Sequence, residues 1–353
     1  MTKTDQLRSR FDATGIDAFL TQSTYNRRYL TGFTGTAGAA LVTADSSRLI
    51  TDFRYTVQAR SQAPEFEIVE HSKPLLEELA NQVKELGIHK LGFEKDHVSY
   101  TQYEALSEQL DCELIPVSGL VEDMRLLKTA DEISVIEKAV QIADEAFSHI
   151  QSYIKAGVKE IDVSNELEFF MRKQGAVSSS FDIIVASGER SAYPHGVASD
   201  KIIESGELVT LDFGAYYNGY CSDITRTVAV GDVSAELKEI YDTVLQAQIK
   251  GVEGLKPGLT GREADALTRD YIKEKGFGEY FGHSTGHGMG MEVHEGPGLS
   301  HRSDKKLEPG MVVTVEPGIY VEGTGGTRIE DDVVITEDGC RILSASPKEL
   351  IIL

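Results

Sequence analysis

Apolar residues in the first third of the chain cluster in short runs, at residues 17–21, 39–43, 48–53, 66–70 and 90–94, with the length and make-up of β-strands. Between and after them, residues 74–86 and 99–110 return to helical spacing, with Leu75, Leu76, Leu79, Val83 and Leu86 forming one stripe. This alternation predicts a mixed α/β domain over residues 1–120. Ile115, Pro116, Val117, Ser118 and Gly119 carry turn residues ahead of a long amphipathic stretch, so the linker is expected to begin there.

Downstream the period settles near 3.6. Thr129 and Glu132 have the capping-box spacing ahead of Ile133, Ile136, Val140, Ala143, Phe147, Ile150 and Ile154, and Gly157 stands where a C-terminal cap would. A second helix is expected from Asp162, as N-cap, to Gly175, followed by strand-like runs at 181–186, 208–216 and 220–230. The same order then recurs. Ser234 opens a helix through Ile249, Thr260 and Glu263 repeat the capping-box spacing for a helix ending near Gly276, and strand-like runs follow at 311–316 and 327–336. Residues 121–353 thus read as two helices and a β-hairpin, occurring twice; the duplication rests on the order of elements.

The chain's 353 residues suit two domains of ordinary size. A hydrophobic content of 41% with 26% charged residues is that of a globular protein and excludes disordered, collagen-like and disulfide-scaffold classes. The formal charge of −22 gives a field that repels phosphate backbones and anionic lipid, so neither nucleic acid nor membrane is an expected partner. Cys112, Cys221 and Cys340 are too few and too widely spaced for a disulfide framework or a thiolate metal site, and suit a reducing compartment. The N-terminus has no apolar signal segment and nowhere do about 18 apolar residues run together, so a cytoplasmic protein is expected.

Against this background four acids stand where acids are rare. Asp212 lies in Val209-Thr210-Leu211-Asp212-Phe213-Gly214 and Glu316 ends Met311-Val312-Val313-Thr314-Val315-Glu316, both apolar enough to be interior strands. Their hairpin partners carry Asp223 and Glu330. An even-length turn at Asn218-Gly219 puts Asp212 and Asp223 on one face of the first hairpin. Glu316 and Glu330 share a face only if the loop around residues 323–326 has an odd count or a bulge. Four ionised carboxylates in one interior cleft are untenable as bare charges, because desolvation penalises each of them. Two divalent cations match four negative charges, and a bridging hydroxide would leave the site slightly negative.

Histidine adds to the case. His283 and His287 have the i, i+4 spacing of a zinc-binding helix, but Gly282, Gly286, Gly288 and Gly290 oppose a helix and no Glu follows His283, which rejects the zincin reading. One imidazole joined to four carboxylates is an oxygen-rich set that points to Mn²⁺, Co²⁺ or Fe²⁺ rather than to structural Zn²⁺.

Asp212, Asp223, His287, Glu316 and Glu330 sit in the phrases Leu211-Asp212-Phe213-Gly214, Ser222-Asp223-Ile224-Thr225-Arg226, Gly286-His287-Gly288-Met289-Gly290, Val315-Glu316-Pro317-Gly318 and Arg328-Ile329-Glu330-Asp331. In order and spacing they resemble the five dinuclear-metal ligands of the pita-bread metallopeptidases. Tyr29-Leu30-Thr31-Gly32-Phe33 and Thr51-Asp52-Phe53-Arg54-Tyr55 resemble the extra domain of the Xaa-Pro branch of that family, which holds prolidase, aminopeptidase P and creatinase. The resemblance implies an α+β fold, with a pita-bread domain at 121–353 preceded by a smaller creatinase-type α/β domain at 1–120. It further implies hydrolysis of the Xaa-Pro bond in dipeptides or short peptides, two divalent ions with Mn²⁺ foremost, and a homodimer.

It implies roles for further residues as well. His294, seven after His287, matches the histidine that hydrogen-bonds the reacting carbonyl. His195, in Tyr193-Pro194-His195-Gly196, and His283 match residues on the proline side, and Arg328 matches another active-site position. Glu316 is the candidate general base as well as a ligand. One departure stands out: many prolidases follow the matching histidine with Glu-x-Pro-Arg, whose Arg helps to hold a dipeptide's carboxylate, whereas this chain has His294-Glu295-Gly296-Pro297-Gly298. The missing charge leaves room for longer Xaa-Pro peptides, the substrates of an aminopeptidase P. A peptide- or partner-binding protein on the same fold, and a metal-free creatinase-like hydrolase, are rivals that the intact ligand set disfavours. A phosphate loop at Gly32, Gly35 and Gly38 matches no nucleotide-binding spacing.

Overall fold

Strands form where the first third of the chain concentrates its apolar runs: Ala18–Thr21, Ala39–Thr43, Ser47–Asp52, Glu67–His71 and Lys90–Glu94. The computed structural model describes residues 1–353 and divides them into two units, Met1–Arg125 and Leu126–Leu353. In the first unit a sixth strand, Glu113–Val117, pairs with Lys90–Glu94 at the edge of the mixed sheet. Residues 115–117, expected to open a linker, therefore belong to the sheet, where Pro116 is tolerated because an edge strand has one side free of ladder bonds. The unit runs on to Arg125 rather than stopping at residue 120. Helices Leu75–Glu85 and Tyr100–Gln109 bury Leu79, Val83 and Leu106 against Leu20, Leu41, Ile50 and Leu91. Short helices at Thr24–Thr31 and Thr56–Gln62, absent from the hydrophobic pattern, complete the layer structure.

The second unit carries the duplication. Helices Ala130–Ile150 and Glu160–Lys173 precede one hairpin, and Ala235–Gly254 and Gly261–Glu274 precede the other. Capping boxes form at Thr129/Glu132 and Thr260/Glu263 as their spacing requires. Two expected boundaries move. The first helix stops at Ile150, short of Gly157, although Ile154 stays buried in the same cluster; the apolar spacing outlasts the helix. The second starts at Glu160 rather than after Asp162, because the Glu160 and Ile161 amides find the carbonyls of Lys201 and Ser199 and need no side-chain cap. The run expected at 181–186 forms a strand only over Ile184–Ser187, with a separate two-residue strand at Ser178–Ser179 before it.

Strand alternation then sorts the hairpin residues. In Glu207–Phe213, Val209, Leu211 and Phe213 pack on the first helix pair with Phe147, Leu167 and Met171, which turns Thr210 and Asp212 the other way. In the second hairpin Val313, Val315, Val333 and Ile335 share a cluster with Leu255 and Ala264, which turns Thr314, Glu316, Glu330 and Asp332 away from it. Register does the rest. Tyr217 pairs with Tyr220 around the two-residue Asn218-Gly219 turn, and Asp212 pairs with Thr225, so Asp223 stands opposite Gly214 on the face of Asp212. Val321 pairs with Gly325, leaving the odd-length loop Glu322-Gly323-Thr324, and Val315 pairs with Asp331, which sets Glu316 opposite Glu330.

Gly214 separates the two strand segments of the first hairpin, and there a Cβ would lie 1.8 Å from the Ser222 carbonyl oxygen. Replacing Gly214 with Ala should push the strands apart and destabilise the protein by roughly 3 kcal/mol. Thermal unfolding measures it; an unchanged melting temperature would show that the hairpin joint tolerates the shift.

Candidate metal centre

The inner faces of the two hairpins close on each other through Thr225, whose carbonyl accepts from the Glu330 amide at 3.1 Å and whose hydroxyl donates to Glu330 Oε2 at 2.6 Å. Asp212, Asp223, Glu316 and Glu330 thereby face one cavity of about 510 Å³, with His195, His283, His287, His294 and Arg328 also in its wall. Every residue singled out from the sequence as ligand or active-site group lies in this one place; Gly298 is not among the lining residues.

His287 arrives from a third element, the short strand Gly286–Gly288, packed between Glu295–Leu299 and Val312–Val315. Glycine on either side is a steric demand. A Cβ at 286 would sit 2.0 Å from the Thr314 carbonyl oxygen, and one at 288 would sit 1.9 Å from that of Gly296. His287 Nδ1 lies 3.1 Å from the Gly288 carbonyl oxygen, which can only accept, so the proton is on Nδ1 in the neutral ring. Burial holds the ring's pKa below the usual histidine value and favours that neutral form. The lone pair on Nε2 then faces Glu316 Oε1 at 3.3 Å and Asp223 Oδ2 at 3.7 Å.

Around Arg328 runs a network that the sequence reading missed. Its guanidinium is buried, pairs with Asp212 Oδ2, and donates to Thr225 Oγ1 at 3.1 Å, to the Tyr320 hydroxyl at 2.7 Å and to the Pro194 carbonyl at 3.1 Å. The Tyr320 oxygen also lies 2.8 Å from His283 Nε2, and His283 Nδ1 lies 2.8 Å from the Ser284 carbonyl. One proton arrangement satisfies both contacts: Nδ1–H donates to Ser284, and the tyrosine accepts from Arg328 while donating to Nε2. Burial and then the Arg328 charge take the His283 pKa down to about 4, which keeps the ring neutral as this arrangement requires. Tyr320 lies in Gly318–Val321, a strand too short and glycine-marked to register in the apolar pattern; its place opposite Gly326 is what the odd-loop register implies. His195 and His294 are exposed at the rim, with the His294 ring 4.3 Å from that of His287.

Charge in this cavity is unbalanced. Asp331, on the opposite face of its strand, is satisfied by Arg226 at 2.7 Å and by Gln248 and Lys348 at 2.8 Å. The four cavity acids have Arg328 as their single arginine or lysine partner, and Asp212 Oδ1 and Asp223 Oδ1 are buried with no hydrogen-bond partner. Burial, and after it the charges of Glu330 and Asp212, hold the Asp223 pKa well above the carboxylate range; Glu330 is raised by burial and by Glu316. Burial pushes Glu316 up to about 7, with Arg328 opposing the rise and Asp212 adding to it. Ligand atoms of Asp223, His287 and Glu330 all lie within 4.8 Å of one another.

Comparison with known proteins agrees with this geometry. Residues 134–337 match metallopeptidase family M24, and residues 3–127 match the creatinase/prolidase N-terminal domain. The chain belongs to metallopeptidase family M24. A solved family member, an Xaa-Pro dipeptidase from Bacillus anthracis, is 64% identical with a TM-score of 0.98, covering 99% of both chains. An X-Pro aminopeptidase from Thermotoga maritima is 43% identical with a TM-score of 0.92, covering 98% of this chain and all of its own. The Xaa-Pro dipeptidase of Pyrococcus horikoshii is 43% identical over 344 residues, 96% of either chain. The fold is accordingly the M24 pita-bread domain behind a creatinase-type N-terminal domain.

The residues fit the divalent cations that an M24 metallopeptidase uses: hard oxygen donors, two of them orphaned, and an imidazole whose free lone pair is aimed at them. The pKa shifts make this testable without activity. Asp223, Glu316, Glu330 and Asp332 have raised pKa values in the folded chain, so their stabilising effect is complete below the unfolded carboxylate range and is lost as pH rises through the folded values, about 7 for Glu316. His283, His287 and His294 are shifted down, and their opposing effect is spent above 6.5. The melting temperature of metal-free protein should therefore fall from about pH 6.5 to 8.5, and excess divalent cation should raise it most at the upper end. A metal-free protein that gains stability across that interval would contradict the assignment.

Proposed function

We propose that this protein is a dinuclear-metal exopeptidase that hydrolyses the Xaa-Pro bond of dipeptides and short peptides. The observation that carries the reading is the convergence of four carboxylates and a neutral imidazole, from two repeated hairpins and a glycine-flanked strand, on one cavity. Asp212, Asp223, His287, Glu316 and Glu330 would hold two divalent cations, Mn²⁺ foremost, which supply Lewis acidity at the scissile carbonyl and lower the pKa of the attacking water.

The chain's own groups do the remainder. Glu316, whose Oε1 accepts from the Thr314 hydroxyl at 3.1 Å, takes the proton of the attacking water and returns it to the leaving proline nitrogen. His294, at the exposed rim, donates a hydrogen bond to the carbonyl oxygen as negative charge develops on it, a contribution of about 3–4 kcal/mol by comparison with other single donors. The substrate's α-ammonium group is drawn to the acidic centre, which selects a free N-terminus. Phe181, Ile184, Val197 and Val293 give the cavity apolar wall for a pyrrolidine ring, beside His195 and the His283–Tyr320–Arg328 network. A cytoplasmic setting suits three free thiols, and no helix is long and apolar enough to cross a membrane.

Chelator-stripped protein reloaded with Mn²⁺ should bind two ions per chain by elemental analysis and release amino acid from Xaa-Pro peptides. Asp223→Asn should reduce that release at least about 100-fold while circular dichroism shows the fold intact; full activity in the variant would refute the ligand assignment.

Gly298 bears on substrate length. A Cβ there meets nothing within 4 Å, so the position is open and carries no cation to hold a dipeptide's carboxylate. This supports acceptance of longer peptides alongside dipeptides. Gly298→Arg should shift the ratio of kcat/KM for Xaa-Pro over Xaa-Pro-Yaa toward the dipeptide by about ten-fold, one charge-assisted contact. An unchanged ratio would place the carboxylate elsewhere.

A further inference from the structure

One fully buried carboxylate lies outside the cavity and is satisfied on every side. Glu160 opens the Glu160–Lys173 helix, and its Oε1 accepts from the Ser187 amide at 2.8 Å and the Ser187 hydroxyl at 2.9 Å. Its Oε2 accepts from the Ser199 hydroxyl at 2.6 Å, the Ser199 amide at 3.2 Å and the Arg190 guanidinium. Ser187 and Ser199 are the two ends of the loop that brings Pro194, His195 and Val197 to the cavity. Arg190 adds a second grip by donating to the Val197 carbonyl at 2.8 Å. From the cavity side the same loop is held by Arg328, through the Pro194 carbonyl.

A buried carboxylate tolerates few alternatives, because any loop shape that withdraws these donors leaves a desolvated charge unpaired. We propose that Glu160 is a positioning residue that fixes both ends of the 187–199 loop and, through it, the place of His195 against the substrate. The catalytic consequence rests on the proposed Xaa-Pro peptidase reading; the clamp itself does not. Glu160 touches neither the cavity nor its ligands, so its influence should appear in substrate binding rather than in metal loading.

Glu160→Gln keeps the size of the side chain and one oxygen, but turns an amide NH₂ toward groups that are themselves donors. Hydrogen exchange in residues 187–199 should speed up while the Gly261–Glu274 helix stays protected, and metal content should be unchanged. KM for an Xaa-Pro dipeptide should rise about ten-fold or more with a smaller change in kcat. In a His195→Ala background the same substitution should add nothing further to KM. Unchanged exchange in the loop, or a full additional loss in the His195→Ala background, would overturn the proposal. Should Glu160→Gln fail to fold, Ser199→Ala removes one donor and keeps the charge paired; it should move exchange and KM in the same direction by less, and no change there would also overturn it. If the unmodified protein cleaves no Xaa-Pro peptide, the peptidase reading falls, and hydrogen exchange alone still decides whether Glu160 holds the loop.

Discussion

The structure turns on the cost of gathering four carboxylates in an interior cavity. Burial and mutual repulsion raise the pKa values of Asp223, Glu316 and Glu330 together, and Arg328 offsets one charge while the rest face a neutral imidazole. Such a cluster is stable with protons or with cations, and near neutral pH the two compete for the same oxygens. The contrast with Asp331 is instructive. One residue along the chain from Glu330, and just as buried, it is matched by Arg226, Lys348 and Gln248. Asp331 thus has internal counter-charges, whereas the cavity acids share Arg328 alone.

Duplication supplies the symmetry that the site needs. Each helix pair covers the outer face of its own hairpin, so each hairpin's inner face is left for polar residues, and the two inner faces meet through Thr225 and Glu330. A tight even turn in one hairpin and a three-residue loop in the other set both registers so that paired acids share a face. His287 enters from outside the repeat, on a strand whose neighbours come too close for any side chain but hydrogen at 286 and 288. The arrangement is specified by backbone geometry before any cation binds.

Much of this was legible in the residues themselves, and the gaps have physical causes. Acids inside apolar strands stand out because the runs around Asp212 and Glu316 are apolar enough to be interior, and capping boxes at Thr129 and Thr260 mark helix starts by a local hydrogen-bond pattern. The Glu160 helix start was misplaced because its amides are capped by distant carbonyls, which leave no local signature. The edge strand Glu113–Val117 was hidden by a proline that only its edge position excuses. Tyr320 and Asp332 went unnoticed for a similar reason: one bridges Arg328 to the distant His283, the other accepts the amide of the distant Asp223 at 2.9 Å.

The central claim is that the cavity acids are ligands for a pair of dications, and anomalous X-ray scattering from crystals grown with excess Mn²⁺ addresses it directly. The account requires two strong peaks in the cavity, each within bonding distance of oxygens from both hairpins and one of them also of His287 Nε2. Strong Mn²⁺ peaks confined to the protein surface, with none among Asp212, Asp223, Glu316 and Glu330, would contradict it.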